Sequence, residues 1–168
     1  PLVVRAIVGK SWGQAAQHAS APHSLFANIP GLQVVVPSGV TEAARLLLSA
    51  IQSNVPTVMI ELKSLYDLRE PVTRPLTPLP LGRARVAREG SDITFVAISD
   101  MVAFAERVAR RLARSHIEAE VLDLRTVAPL DAEAIVASVA KTRRVAVFDI
   151  GWEPFGLAAE VARVVAGG

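Results

Sequence analysis

The chain of 168 residues is 51% hydrophobic and 20% charged, and its 18 Lys and Arg against 16 Asp and Glu leave a formal net charge of +2. That is apolar material for one sizeable core or two small ones, and so near a balance of charge carries no nucleic-acid footprint. Cysteine is absent, which excludes disulfides, thiolate metal sites and a cysteine nucleophile, and no apolar run approaches the roughly 18 residues of a membrane-spanning helix. The start lacks the basic and apolar regions of a secretory signal, so a soluble, cytoplasmic protein is expected. The first residues, Pro1-Leu2-Val3-Val4, carry no Met and stand already inside an apolar strand, as in a piece of a longer protein.

In chain order, Leu2 to Val8 is a strand ended by Gly9, and residues 9 to 22 form a loop rich in Gly, Ser, Gln and Ala. A short helical segment from about His23 to Asn28 stops at Pro30-Gly31. Leu32 to Val36 is the next strand, Pro37-Ser38-Gly39 a turn, and Thr41 the N-cap of a helix from Glu42 to Gln52 that buries Ala44, Leu47, Leu48 and Ile51. Pro56 to Leu62 is apolar almost throughout, the pattern of a strand covered on both faces. Residues 67 to 80 hold Pro71, Pro75, Pro78 and Pro80, which favour an extended domain linker.

Beyond the linker the alternation resumes with strands Gly82 to Arg88 and Ile93 to Ile98, and then a helix capped by Asp100 and running to about Ser115. Strand Glu118 to Leu124, helix Asp131 to Lys141, strand Arg143 to Ile150 and a helix from about Phe155 to Ala166 follow. The order is that of an α/β protein with parallel-sheet domains and helices on both faces, joined by right-handed crossovers. Arg107, Arg110, Arg111 and Arg114 share one helix side opposite Val102, Ala105, Val108, Ala109 and Leu112, and are assigned to a solvated surface.

Ligands of such sheets gather at the carboxyl ends of the strands, where Ser99-Asp100, Asp123-Leu124-Arg125-Thr126 and Asp149-Ile150-Gly151-Trp152 stand, although helix capping and turn formation account for most of these. Gly9-Lys10-Ser11-Trp12-Gly13 and the 151–156 segment fit neither the dinucleotide nor the phosphate-loop glycine pattern, and no nucleophile elbow is present. His18 and His23, five apart with no carboxylate between them, do not make a metal site. An imidazole in a loop before a buried strand is placed to donate a hydrogen bond or relay a proton at neutral pH, which makes His18 a candidate catalytic residue, although spacing alone favours a surface or capping role. His23 and His116 are assigned to surface or capping roles.

Several motifs in fixed order carry a resemblance. They are Gln17-His18, then Ile29-Pro30-Gly31-Leu32-Gln33-Val34-Val35-Val36-Pro37-Ser38, then Glu61 with Lys63 and Leu65-Tyr66. Pro80-Leu81-Gly82-Arg83-Ala84, Glu89-Gly90-Ser91-Asp92-Ile93-Thr94, the run Asp123 to Asp131, Gly156 and Glu160 complete them. Together they resemble the beta subunit of the thiamine diphosphate-dependent decarboxylating component of 2-oxo acid dehydrogenase complexes, with transketolase as a more distant relative.

The resemblance implies a later portion of a pyrimidine-binding domain over residues 1–66, the linker over 67–80 and a transketolase C-terminal domain over 81–168. It implies thiamine diphosphate at a subunit interface, with magnesium and the diphosphate on an alpha-type partner and the aminopyrimidine on the beta-type chain. No residue here is nominated for the cofactor and no metal site is claimed. His18 falls on the family's active-site histidine, which meets the substrate carboxylate, the carbanion intermediate or the incoming lipoyl group. The other implied partners are a second beta-type copy, a lipoyl acyltransferase core and a small 2-oxo acid, with neither nucleic acid nor membrane.

The family's Glu that protonates the aminopyrimidine lies before residue 1, so the chain by itself is expected to be inactive. Ala19-Ser20 stands where Ser-Gln is usual, Asn28 where a second His is common, Ser53 where potassium-binding relatives have Asp, and the turn 149–156 also departs from the pattern. The expected function is a beta-type subunit, or a fragment of one, that decarboxylates a 2-oxo acid and acylates lipoyl together with its partner. The alternatives are a non-catalytic assembly module and a fragment of a transketolase or deoxysugar-phosphate synthase.

Overall fold

The computed structural model of the chain describes residues 2–9, 15–72 and 74–168. Two four-stranded sheets carry the architecture. The first takes β1 (Val3–Val8), β2 (Gln33–Val35) and β3 (Thr57–Leu62) in the order β1-β3-β2 and adds β7 (Thr126–Ala128) beyond β2. The second has β4 (Arg85–Arg88), β5 (Ile93–Ala97), β6 (Ala119–Asp123) and β8 (Val145–Phe148) in the order β4-β6-β5-β8. The helices are α1 (Ala15–Ala19), α2 (His23–Ala27), α3 (Val40–Gln52), α4 (Asp100–Ala113), α5 (Ala132–Thr142) and α6 (Leu157–Gly167).

Pleating sorts the apolar side chains into three layers. Val35 and Met59 point to one face of the first sheet and pack with Leu46 of α3 and Leu79. Phe95, Ala97 and Val121 point to one face of the second sheet and pack with Val102, Ala105 and Ala109 of α4. The opposite faces share a single core, in which Val34, Val58 and Ile60 of the first sheet join Val96 and Leu122 of the second. Ile135 of α5 and Leu157 and Val161 of α6 fill that core. The α4 face is therefore the expected one, with its arginines outward, Arg107 over the Phe104 ring at 5.5 Å and Arg110 paired to Glu106.

The sheets are mostly parallel, as expected, and two pairings depart from that. β7 pairs antiparallel with β2, and β4 antiparallel with β6. Only Leu124 and Arg125 separate β6 from β7, too few for a crossover, and Arg125 at φ 61° turns the chain so that it leaves its own sheet for the edge of the other. The resulting bond from the Val36 amide to the Arg125 carbonyl, at 2.8 Å, stitches the two halves together.

Three local expectations also change. Within the segment read as a loop over 9–22, residues 10–14 lie outside the described part, while Ala15–Ala19 is helical. α3 begins at Val40 with Gly39 in the cap position, and its free amides at Val40 and Thr41 donate to Glu70 at 3.2 and 2.9 Å in place of a Thr41 cap. The Thr41 amide is the main cause that holds the Glu70 carboxyl below its usual pKa. α3 buries Leu46 and Ala50, and Ile51 is 56% exposed, because the run Leu46-Leu47-Leu48 leaves the phase of the apolar stripe ambiguous and Leu79 from the linker settles it.

Part of the Pro-rich segment is strapped along α3. Arg45 donates to the Thr77 carbonyl at 2.8 Å and its hydroxyl at 3.0 Å, and Ser49 donates to the Leu79 carbonyl.

Beside the shared core sits a charged seam between the halves. Ser38 Oγ lies 2.6 Å from both Glu42 Oε2 and Asp123 Oδ2. Arg85 reaches Asp123 at 3.1 Å and Glu42 at 3.0 Å, and Arg125 bonds Glu42. A hydroxyl donates one hydrogen, so both Ser38 contacts are satisfied only when one carboxyl carries a proton. Burial and the neighbouring Glu42 charge push Asp123 up to about 6. Burial would raise Glu42 too, but the Ser38 hydroxyl and the two guanidinium groups outweigh it and hold that carboxyl below its usual value.

A raised carboxyl binds its proton more tightly in the folded state. Its stabilisation is complete below about pH 4 and is lost as pH rises through about 6, a change on the order of 3 kcal/mol. Urea midpoints measured from about pH 4.5 to 7 are expected to decline across that window in the native protein and to flatten in Asp123→Asn.

Candidate active site

β1 and β3 run parallel in the register Val8 opposite Leu62, so their carboxyl ends open on the same edge of the first sheet. A cavity of ≈ 380 Å³ lies there. Ile7 and Val8 form the end of β1, Lys63 follows β3, and Gln17 and His18 come from α1, with Ser20 and Pro22 completing the described wall. His18 is exposed to solvent at its position on α1. The wall combines an apolar side with side chains able to donate from Gln17, His18, Ser20 and Lys63, and no Asp or Glu lines it among the described residues. Such a lining suits a small polar ligand.

The motif residues on β3 have a separate task. Arg5 of β1 grips Glu61 with two hydrogen bonds of 2.7 and 2.8 Å, and the Tyr66 hydroxyl donates to the same carboxylate. This fork-to-fork pair crosses the β1–β3 ladder and fixes the edge on which His18 stands.

His23 overturns the surface or capping role expected of it. It is 0% exposed, and its Nε2 stands 2.9 Å from Asp149 Oδ1 in the turn between β8 and α6. Asp149 also accepts the amides of Ile150, Gly151 and Leu157. Burial works to raise the Asp149 carboxyl, but His23 and these amides outweigh it, and its pKa lies below the usual value. His116, exposed in the turn after α4 at φ 59°, keeps the role expected of it. Of the strand-end turns, Asp131 caps α5 by accepting from Ala134, Ser99 takes the cap position of α4 in place of Asp100, and Asp123 belongs to the seam.

Nothing local marks His23 as a core residue, since its neighbours Pro22 and Ser24 are only partly buried and its partner is 126 positions away. A second, larger cavity of ≈ 740 Å³ lies beyond Pro22, between α2 and the start of α6, with Leu25, Trp152 and Phe155 on its walls. Trp152 is 81% and Phe155 96% exposed. The described residues contain no group of three or more His, Cys, Asp or Glu that could hold a metal ion.

Two sheets closed on a shared core, with a histidine at the carboxyl ends of parallel strands, define a transketolase-like α/β protein, and the similarities found among known proteins agree. The transketolase C-terminal domain family matches residues 82–167, and the chain belongs to that family. Over 166 residues it is 40% identical to the acetoin:2,6-dichlorophenolindophenol oxidoreductase subunit beta of Bacillus subtilis, covering 99% of this chain and 48% of that protein. It is 38% identical to the pyruvate dehydrogenase E1 component subunit beta of Rickettsia conorii, covering 98% and 51%. Among solved structures, a split-gene transketolase described as an inactive beta4 tetramer superposes with a TM-score of 0.85 at 28% identity, covering 98% of this chain and 53% of that one. The chain thus spans about half the length of the curated relatives it matches.

The burial contrast among the three histidines has a direct readout. Diethyl pyrocarbonate applied to the folded protein is expected to modify His18 and His116 and to spare His23, as peptide mass spectrometry resolves, with His23 becoming reactive only in denaturant.

Proposed function

We propose that the chain is a beta-type subunit, or part of one, of a thiamine diphosphate-dependent 2-oxo acid dehydrogenase. The observation that carries this reading is the exposed His18 at the cavity on the carboxyl ends of β1 and β3, in a chain matched over nearly its whole length by beta subunits. In this reading residues 1–66 are the later portion of a pyrimidine-binding domain, and an alpha-type partner supplies magnesium and the diphosphate site.

The cavity's apolar wall at Ile7, Val8 and Pro22, with donors at Gln17, Ser20 and Lys63, fits the aminopyrimidine end of the cofactor or a small acid beside it. Thiamine diphosphate supplies the electron sink for decarboxylation. His18 donates a hydrogen bond to the substrate carboxylate and holds a proton for the later transfer of the acyl group to lipoyl.

The partners proposed with this role are an alpha-type chain, a lipoyl acyltransferase core and a second copy of this chain. Support for the second copy comes from the split-gene relative's beta4 assembly and from β1, whose outer edge is unpaired among the described residues and exposes Leu2, Val4 and Ile7. The Bacillus subtilis relative favours acetoin as the second substrate reading.

Reconstitution of the whole beta-type chain that carries these residues with an alpha-type partner, thiamine diphosphate and magnesium tests the role, with 2,6-dichlorophenolindophenol reduction measured on pyruvate and on acetoin. Activity on a 2-oxo acid and a loss of about 100-fold or more in lipoyl acylation for His18→Ala are expected. Turnover on acetoin alone would replace the substrate, and unchanged acylation in His18→Ala would remove His18 from the catalytic group.

A further inference from the structure

From Ala15 to Gln33 the chain carries His18 and both short helices, yet His23 is the single residue in that stretch that is fully buried. The rest of the stretch is exposed or only partly covered, with Ala21, Phe26, Ala27 and Leu32 packed against the shared core, so His23 is the one fully buried and polar hold on this segment. That imidazole meets Asp149 at 2.9 Å, off the straight line of its N–H. The carboxylate cannot swing away, because Oδ1 accepts the Ile150 and Gly151 amides at 2.7 and 3.1 Å and Oδ2 accepts Leu157 N at 3.2 Å. Gly151 makes the approach possible: a Cβ there would stand 2.6 Å from His23 Cε1.

Four residues, Ala19 to Pro22, separate His18 from this anchor. Ser20 N bonds the Ala16 carbonyl at 3.1 Å and Phe26 N bonds the Pro22 carbonyl at 3.2 Å, so α1 and α2 leave little slack between them. Pro22, with its ring-fixed φ, lines both the His18 cavity and the groove on the far side. A shift of the chain at His23 has only this short connection in which to dissipate before it reaches His18.

We infer that His23 and Asp149 are positioning residues for His18, and that their buried contact fastens the His18-bearing segment to the turn between β8 and α6 and so sets where His18 stands at the cavity. The C-terminal domain thereby orients a group of the other half's site. This rests on the role given to His18 above, and deepens it. A misplacement of about 1 Å in a reacting group can cost on the order of 100-fold in rate, so a fastening of this kind has a measurable effect.

The sequence holds three histidines, so a one-bond carbon–proton correlation spectrum of the Cε1 sites resolves them, with His18→Gln and His116→Gln giving the assignments. In Asp149→Asn the His18 resonance is expected to shift or broaden while that of His116 stays in place. Gly151→Ala, which displaces the His23 ring without removing a charge, is expected to do the same and serves if Asp149→Asn fails to fold by thermal denaturation. In the reconstituted enzyme both variants are expected to lower kcat about 10- to 100-fold with KM changed less than about twofold.

An unmoved His18 resonance with unchanged kcat in a folded variant would overturn the inference even if His18→Ala abolishes acylation. A moved resonance in Asp149→Asn together with full activity in His18→Ala would leave the fastening standing and bring down the catalytic reading instead.

Discussion

The structure depends on one apolar core that belongs to both sheets. Val34, Val58 and Ile60 cannot be covered by the first sheet's own α3, which occupies the opposite face, and Val96 and Leu122 are likewise turned away from α4. Each half has one face satisfied by its own helix and one that needs the other half, with α5 and α6 filling the space between them. At roughly 25 cal/mol per Å² of apolar surface, a shared layer of this kind dominates whatever holds the halves together.

The polar groups at the rim of that core give the halves a definite mutual orientation. Asp123 cannot be hydrated where it lies, so Ser38, Glu42, Arg85 and Arg125 must be arranged around it, and they come from both halves. β7 crosses to the first sheet, where its backbone groups find partners on the edge of β2. A chain with a proline-rich connection could have been two loosely tethered bodies. Glu70, Arg45 and Ser49 instead use that connection to cap and line α3.

The candidate site inherits this construction. The carboxyl ends of β1 and β3 supply its floor, and the Arg5–Glu61 fork keeps those two strands in register. His18 itself is on a short, lightly covered helix and is exposed to solvent at the cavity. In the role proposed for it His18 must stay open, and the buried histidine of this segment is His23, five residues along the chain.

The sequence by itself determined what is local or periodic: the α/β alternation, the apolar strands, the buried side of α4 and His18 in a polar segment ahead of β2. Its motifs in order were enough for the family, because the spacing between strand ends and helix starts is a property of the chain. What only the tertiary structure decided are the contacts between distant positions. The phase of α3 was undecidable from three consecutive leucines until Leu79 packed on it. β7, three residues long, carries too little periodicity to be read as a strand and exists because β2 offers an edge. His23 looks like any loop histidine, and becomes a core residue only because Asp149, Gly151 and the start of α6 close around it. Burial and charge pairing are sums over neighbours in space, and a linear order of residues does not contain those neighbours until the core has brought them together.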